Sequence, residues 1–197
     1  MKRTAFVLLI LNFALTACVD TTDISPSSSR PPRGNPQASI LVQEFADLQC
    51  PSCRSAQTLV VQPLLEKYGS QIRFEYRHFP IQSLHRYALD AAEAAECAAD
   101  QGKFWEFVDL DYANQDLLNR TAIQQWAQQL KLDTSLFSRC TRSRIKRKEI
   151  LADYDEGTAG GVTGTPTFFV NGQKVDSTIQ ALSAAIDAAI KGTGTKL

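Results

Sequence analysis

The stretch EFADLQCPSC, residues 44–53, carries a Cys-x-x-Cys motif at the point where a strand pattern gives way to a helix pattern. An apolar run from Ile40 to Val42 leads into it, and an amphipathic pattern from Pro51 to about Tyr68 follows it. A Cys-x-x-Cys motif in this context indicates a redox site. Cys50 is placed as the helix N-cap, and Pro51 takes the first helical position, where its missing N–H leaves no bond unmade.

Cys50 sits where a helix activates a thiol. The free N–H groups of the first turn and the positive end of the helix dipole point at its sulfur, and both favour the nucleophilic thiolate. Cys53, one turn on, can close a disulfide with it. A zinc site is one alternative, but it needs two further ligands, and the other cysteines are single and distant. A purely structural disulfide is the other alternative. We expect no metal.

Glu44 is a carboxylate in a mostly apolar strand, Ser39 to Ala46, which we expect at the centre of a sheet. Burying a carboxylate is costly unless it has a role. Because Glu44 lies six residues before Cys50, its side chain could sit beneath the cysteine pair and accept the proton of the Cys53 thiol during exchange. The alternative is a glutamate at a strand edge that faces water.

Length and charge limit the class of protein. The chain has 197 residues, which suits one domain with a sizeable core. Basic and acidic residues balance at 21 each, so no global basic excess points to nucleic acid.

The N-terminus predicts export. A basic start and an apolar segment from Ala5 to Leu15 are typical of a bacterial signal peptide over residues 1–17. The segment ends in Leu-Thr-Ala-Cys, which resembles the lipobox of bacterial lipoproteins and implies a lipid on Cys18. An ordinary signal peptide with an unrelated cysteine is the alternative. We therefore expect an extracytoplasmic protein, anchored by lipid to a bacterial membrane, in the periplasm or on the outer cell surface.

Residues 18–37 are rich in Ser, Thr and Pro and predict a disordered tether between the anchor and a domain over residues 38–197. Disulfides persist outside the cytoplasm. With Cys50 and Cys53 forming the active pair, Cys97 and Cys140 remain, and we expect a structural disulfide between them. Two buried free thiols are the alternative.

A proline-free helical insertion, about residues 84–156, separates two strand regions. Pro63 predicts a kink or break in the helix that follows the cysteines. Within the insertion, one helix capped by Asp133 is expected to continue through Leu151. Its basic run, residues 139–148, predicts a solvated face, with contact to anionic lipid headgroups as the alternative.

The order of motifs resembles the DsbA-like thiol:disulfide oxidoreductases of the thioredoxin superfamily. The resemblance is carried by EFADLQCPSC, by the insertion containing AAEAAECAADQGKFWEF, and by GTPTFFVNG. It extends from about Ser39 to Lys191. It implies an α/β, thioredoxin-like fold with an inserted helical subdomain.

The resemblance also implies the site. Cys50 becomes the nucleophile, Cys53 the buried resolving cysteine, and Glu44 the buried acid. Pro166 becomes a cis-proline that faces the cysteines, and Thr165 before it offers its backbone to a substrate chain. The pair Cys97 and Cys140 matches a second, non-catalytic disulfide of some relatives. No cofactor is implied.

The implied function is oxidation of thiols in exported proteins, with a membrane partner that reoxidises the pair and a monomeric enzyme. Strong oxidants of this family resemble CPHC, whereas this chain has Pro51 and Ser52 between the cysteines. We therefore expect a thiolate at Cys50 but less oxidising power. The alternatives are a reductase or isomerase, and a redox-silent lipoprotein that binds peptides.

Overall fold

A mixed five-stranded sheet lies at the centre of the computed structural model, which describes residues 19–193. The strand order is β1-β3-β2-β4-β5, with β2 and β3 parallel and the other neighbours antiparallel. The strands are β1 (Arg33–Gly34), β2 (Ile40–Ala46), β3 (Ile72–His78), β4 (Thr167–Val170) and β5 (Gln173–Val175).

Helices cover the sheet and form the insertion between β3 and β4. They are α1 (Pro51–Ala56), α2 (Gln62–Tyr68), α3 (Ala88–Ala99), α4 (Phe104–Ala113), α5 (Arg120–Gln129), α6 (Thr134–Ser143), α7 (Arg147–Ala159) and α8 (Ile179–Thr193). This arrangement confirms the predicted α/β class with an inserted helical subdomain. Within residues 19–193, no helix combines the length and apolar character needed to cross a membrane.

Both faces of the sheet are buried, which explains why β2 is apolar along most of its length. On one face, Val42 and Phe74 pack with Leu64 of α2 and Leu182 of α8. On the other face α7 approaches closely at Gly157, where an added Cβ would lie 2.8 Å from Phe45 Cδ1. The sheet therefore holds β2, and the motif that follows it, from both sides.

The helix after the cysteines is irregular, as the sequence predicts, but the irregularity precedes Pro63. A π-helical turn, Gln57–Val61, separates α1 from α2. Proline has no N–H and cannot bond to the carbonyl four residues earlier. The wider turn, in which Gln62 N–H bonds to the Gln57 carbonyl, absorbs this defect without ending the helix.

The single helix expected from Asp133 through Leu151 is instead two helices. Asp133 does cap α6, but the chain turns at Arg144, which has a left-handed φ of 57°, before α7 begins. Arg144 pairs there with Asp90 and Glu93 of α3, at 2.8 and 2.9 Å. Contacts with α3 therefore override a continuous helical pattern.

The basic run at residues 139–148 is not simply a solvated face. Lys146 is fully buried and its Nζ lies 2.6 Å from Asp100 Oδ1. Arg139 pairs with Asp20, and Arg147 pairs with Glu93. Most of these cations are held by carboxylates of the same chain, which leaves few of them to meet lipid headgroups.

The N-terminal strap, residues 20–34, lies against the domain, so the expected disordered tether is wrong for this part of the chain. Ile24 is buried in the core of the insertion. The Arg30 guanidinium lies between Glu96 of α3 and Asp153 of α7, at 2.6 and 2.7 Å. The Ser- and Pro-rich composition contributes little apolar area, but one buried arginine and the two residues of β1 hold the strap in place. Cys18 and the proposed signal peptide lie outside the described residues.

Candidate active site

Cys50 occupies the turn between β2 and α1. It is the N-cap of α1, with φ −81° and ψ 120°, and Pro51 follows at the start of the helix. Cys50 and Cys53 are both free thiols in this structure. Cys50 Sγ lies 3.4 Å from the Thr165 carbonyl oxygen, whereas Cys53 is completely buried and its Sγ accepts the Asp47 N–H at 3.5 Å. The two sulfurs of one motif thus meet different surroundings.

The surroundings separate the two cysteine pKa values. The hydrogen bond from Cys53, with further bonds from Thr165 and from the N–H groups of the first turn, outweighs burial and lowers the pKa of Cys50 to about 5. Burial, the bond to Cys50 and the nearby Glu44 carboxylate raise the pKa of Cys53 well above its usual value. One thiol is ready to ionise at neutral pH, and the other holds its proton.

Pro166 faces the cysteines from the start of β4, where a residue without an N–H disrupts no strand pairing. The Thr165–Pro166 peptide bond is cis. Beside it lies an open groove of about 400 Å³, formed by Pro51, Ser52, Ser55, Ala56, Leu59, Val60, Pro166 and Ser177. Leu59 is 67% exposed, so the groove offers an apolar surface next to the nucleophile.

Glu44 lies inside the sheet and not at a water-facing edge. It is paired in register with Tyr76 of β3 and with Phe168 of β4, and it is 2% exposed. Burial raises the pKa of its carboxyl to about 8, although the positive charge of Arg33 on β1 opposes the shift. Glu44 is therefore a neutral acid at pH 7 that can give or take a proton close to Cys53.

Two buried tyrosines complete the space behind the cysteines. The hydroxyls of Tyr76 and Tyr112 lie 3.3 Å apart, and burial raises the pKa of both well above the usual range. They remain neutral at any physiological pH.

Asp47 is a site residue that sequence reasoning missed. Its carboxylate accepts bonds from the N–H groups of Gln49 and Ile81, both at 2.8 Å, and from His85 Nδ1, also at 2.8 Å. These bonds join the turn before Cys50 to the segment between β3 and α3. The position of Asp47 at a strand end, three residues before Cys50, was a signal for this role.

Asp111 and Gln115 on the insertion were also missed. Asp111 is fully buried, and neither carboxylate oxygen has a hydrogen-bond partner within residues 19–193. Burial, together with the nearby charge of Asp47, raises its pKa well above the usual value. An acid among the apolar positions of α4 could have been noticed. Gln115, which bonds to the Leu48 and Cys50 carbonyls, left no comparable signal.

Cys97 and Cys140 form a disulfide that joins α3 to α6, with their Cα atoms 5.9 Å apart. Neither residue contributes to the groove beside Cys50. The two cysteine pairs therefore differ in position and bonding: one cross-links two helices of the insertion, and the other is a pair of free thiols after the carboxyl end of the central strand β2.

Comparison with known proteins gives the family. The thioredoxin family model matches residues 27–188. Among curated proteins, the chain is 43% identical over 159 residues to a Na(+)/H(+) antiporter NhaA 3 of Salinispora tropica and 41% identical over 163 residues to an NhaA 1 of Salinispora arenicola. These matches cover 80% and 82% of this chain but only 24% and 25% of the relatives. The chain thus spans about a quarter of their length.

Solved structures agree with this assignment. A thioredoxin-like oxidoreductase from Silicibacter pomeroyi superposes with a TM-score of 0.72 at 30% identity, covering 83% of this chain and 93% of that one. BdbD from Bacillus subtilis superposes with a TM-score of 0.73 at 18% identity, and the match covers 83% of this chain and 94% of that one. Wolbachia pipientis alpha-DsbA1 superposes with a TM-score of 0.69 at 24% identity, and the match covers 80% of this chain and 88% of that one. The last two show the shared fold.

The match over most of the chain, the cysteine pair at the start of α1 and the cis-proline opposite it lead to one assignment. The chain belongs to the thioredoxin family, and its structure is similar to that of a thioredoxin-like oxidoreductase.

Proposed function

We propose that this protein is an extracytoplasmic oxidase that introduces disulfides into exported proteins through Cys50 and Cys53. The observation that carries the proposal is the opposite shift of the two pKa values, to about 5 for Cys50 and well above its usual value for Cys53. A stabilised Cys50 thiolate favours the reduced enzyme, so the oxidised enzyme gives up its disulfide readily.

In the first step, a substrate thiolate attacks Cys50 Sγ of the oxidised enzyme. A bond forms between the substrate sulfur and Cys50, the Cys50–Cys53 bond breaks, and its electron pair leaves on Cys53. The Cys53 thiolate is buried and takes a proton, which the neutral Glu44 carboxyl can supply. When the enzyme is reoxidised, the Glu44 carboxylate takes that proton back.

In the second step, another thiol of the substrate loses its proton to solvent and attacks the substrate sulfur of the mixed disulfide. Cys50 leaves as a thiolate, stabilised by Cys53, Thr165 and the N–H groups of the first turn. The substrate gains one disulfide, and the enzyme gains two electrons as a dithiol. A membrane redox partner must then remove these electrons to restore the Cys50–Cys53 bond.

The groove beside Pro166 supports an extended polypeptide as the substrate. The Thr165 carbonyl oxygen lies 3.4 Å from Cys50 Sγ, so a substrate chain that paired with this backbone as a short strand would pass the nucleophile. The exposed Leu59 offers contact to apolar side chains next to the reacting cysteine. Unfolded exported proteins expose such segments, whereas folded proteins do not.

The proposed location rests on the signal peptide over residues 1–17 and on Cys18 as the lipidated residue. The Cys97–Cys140 disulfide also suits an oxidising compartment. Replacement of Cys18 by Ser tests the anchor, since the protein should move from the membrane fraction to the soluble extracytoplasmic fraction and lose a radiolabelled fatty acid. Unchanged membrane association without fatty-acid labelling would exclude a lipid on Cys18.

The reduction potential of the Cys50–Cys53 pair tests the oxidase proposal. It should be measured in glutathione buffers on protein that retains the N-terminal strap. We expect about −120 to −160 mV, the range of oxidants. A value below about −230 mV would mean that the disulfide is too stable to be donated, and the protein would then act as a reductase.

Two variants make this experiment specific. Cys50→Ser should abolish the redox transition and the oxidation of a reduced model protein. Cys97→Ser combined with Cys140→Ser should retain the same potential, because that disulfide lies outside the groove. A reduction potential that changed when Cys97 and Cys140 were replaced would contradict the assignment of Cys50 and Cys53 as the active pair.

A further inference from the structure

The side chain of Gln115 reaches the turn that carries Cys50 from the far end of α4. Gln115 begins a short 3-10 turn, Gln115–Leu117, and is 6% exposed. Its Nε2 lies 2.8 Å from the Leu48 carbonyl oxygen and 3.0 Å from the Cys50 carbonyl oxygen. An amide NH₂ group has two donors, and both are used on one turn of backbone.

These two carbonyls flank the residues whose conformation decides where the Cys50 sulfur points. The Cys50 N–H bonds to the Asp47 carbonyl at 3.0 Å, and the Cys50 carbonyl accepts the first helical N–H groups, from Cys53 and Arg54. Gln115 therefore fixes the peptide planes on both sides of Gln49 and Cys50. The helix N-terminus can stabilise the sulfur only while Cys50 keeps its extended N-cap conformation.

We propose that Gln115 is a positioning residue for thiol–disulfide exchange, which holds the peptide units around Cys50 so that the first turn of α1 directs its N–H groups at the sulfur. In this way the Gln115 side chain links the helical insertion to the backbone that carries Cys50. It acts through the backbone of Cys50, and its Nε2 donors are already engaged by the Leu48 and Cys50 carbonyls.

Electrostatics act in the same direction as geometry. The Cys50 carbonyl oxygen is the negative end of a dipole on the same residue that must carry the thiolate. The Gln115 N–H directed at this oxygen offsets its negative potential. A side chain of similar size without N–H donors would keep the packing of α4 but lose this effect.

The backbone of Gln115 is itself well held, which a positioning residue requires. Asn114 ends α4 with its N–H bonded to the Leu110 and Asp111 carbonyls, and the Leu118 N–H bonds to the Gln115 carbonyl. Next to it, Asp116 pairs with Arg54 of α1 at 3.1 Å. The segment after α4 therefore contacts α1 through this ion pair, next to the Gln115 amide.

The test compares Gln115→Met with Gln124→Met. Gln124 also bridges helices of the insertion, since its Oε1 accepts the Ser138 hydroxyl at 2.9 Å, but it lies away from Cys50. The Cys50 pKa is read from the ultraviolet absorbance of the thiolate and from the rate of alkylation near pH 4. We expect Gln115→Met to raise the Cys50 pKa by about one unit and to slow alkylation at that pH about tenfold. Gln124→Met should leave both unchanged.

The proposal fails if Gln115→Met folds like Gln124→Met and its Cys50 pKa is unchanged. It also fails if both variants shift the pKa equally, because the effect would then come from general loosening of the insertion. If Gln115→Met does not fold, Gln115→Asn replaces it, since this amide is too short to reach both carbonyls. The same direction of shift is expected, and an unchanged pKa would again overturn the proposal.

Discussion

Two groups of buried ionisable residues differ in whether they have partners of opposite charge. The paired cluster consists of Arg30, His78, Glu96 and Asp153, where each carboxylate lies within 3.1 Å of a cationic group or a histidine ring. The second group consists of Glu44 and Asp111. Neither Asp111 oxygen has a hydrogen-bond partner among the described residues, and only the charge of Arg33 opposes the effect of burial on Glu44.

The pKa values follow this difference. Burial by itself would raise the pKa of Glu96, but the bond and charge of His78 and the charge of Arg30 outweigh it and lower the pKa to about 2. Burial without such partners raises the pKa of Glu44 to about 8. Paired buried charge holds the strap and helices together, whereas the Glu44 carboxyl remains protonated at pH 7 and available to the Cys53 thiol.

The largest effect is expected from breaking the paired cluster. Arg30→Met leaves Glu96 and Asp153 with fewer partners, and we expect a loss of about 3 kcal/mol in the free energy of unfolding at pH 7. Urea denaturation of the oxidised protein measures it. The control is Arg139→Met, which removes the more exposed pair with Asp20 and should cost less than about 1 kcal/mol. Equal losses in the two variants would show that the strap is held by something other than the Arg30 pairs.

Glu44→Gln is expected to have the next largest effect. Because the folded pKa of about 8 exceeds the ordinary value of 4.5, the carboxyl supports the fold fully below pH 4.5 and opposes it increasingly as pH rises to 8. The variant should lack this loss of stability, which amounts to about 3 kcal/mol at pH 7. It should also slow the release of Cys53 by at least about tenfold in stopped-flow reduction.

A stability profile between pH 4.5 and 8 that is the same in Glu44→Gln and the parent protein would contradict the raised pKa. An unchanged rate of Cys53 release would separately remove Glu44 from the proton transfer. The two readouts are independent, because the first concerns the folded ground state and the second concerns the exchange step.

Asp111→Asn tests the same effect of burial at Asp111, the second acid without a partner. The raised pKa of Asp111 means that it, too, opposes folding as pH rises above the ordinary value of 3.8. The variant should therefore gain stability at pH 7 relative to the parent protein and differ little near pH 3. Asp116→Asn is the matched control, because the Asp116 side chain is 85% exposed. A loss of stability at pH 7 in Asp111→Asn would indicate a partner for this carboxylate.

The smallest effect concerns the Cys50 thiolate, which the site stabilises. The Thr165 hydroxyl is buried and has no hydrogen-bond partner among residues 19–193 while Cys50 is a thiol. It can therefore donate to the Cys50 thiolate, which lowers the pKa of Cys50. Thr165→Val should raise the Cys50 pKa by up to about one unit, since about one hydrogen bond to a charged group is lost. Thiolate absorbance against pH measures the shift. Thr167→Val is the control, because the Thr167 hydroxyl bonds to the Gly164 carbonyl.

Local sequence signals predicted the elements around the cysteines well. The cap at Asp133 and the N-cap position of Cys50 both lie in the structure where the sequence places them. Each depends on residues within a few positions of one another. The irregular helix near Pro63 was foreseen for the same reason, although its form as a π-helical turn was not.

Distant contacts account for the errors. The strap looked disordered because its composition is polar, but Arg30 meets carboxylates 66 and 123 residues further along the chain. The sequence predicted one continuous helix from Asp133, because the contacts of Arg144 with α3 cannot be read from the sequence. No local pattern encodes either set of partners.

The sequence by itself determined the chemistry: two cysteines at the start of a helix, a proline to face them and an acid six residues before the first. The activation of Cys50 follows from N–H groups that any helix start leaves free, whereas the place of the proline came from the resemblance to a known family. Only the tertiary structure decided how far each group is tuned. Burial sets the Glu44 pKa, and Gln115 reaches the Cys50 carbonyl from 65 residues away. Desolvation and long-range hydrogen bonds exist only once the chain has packed.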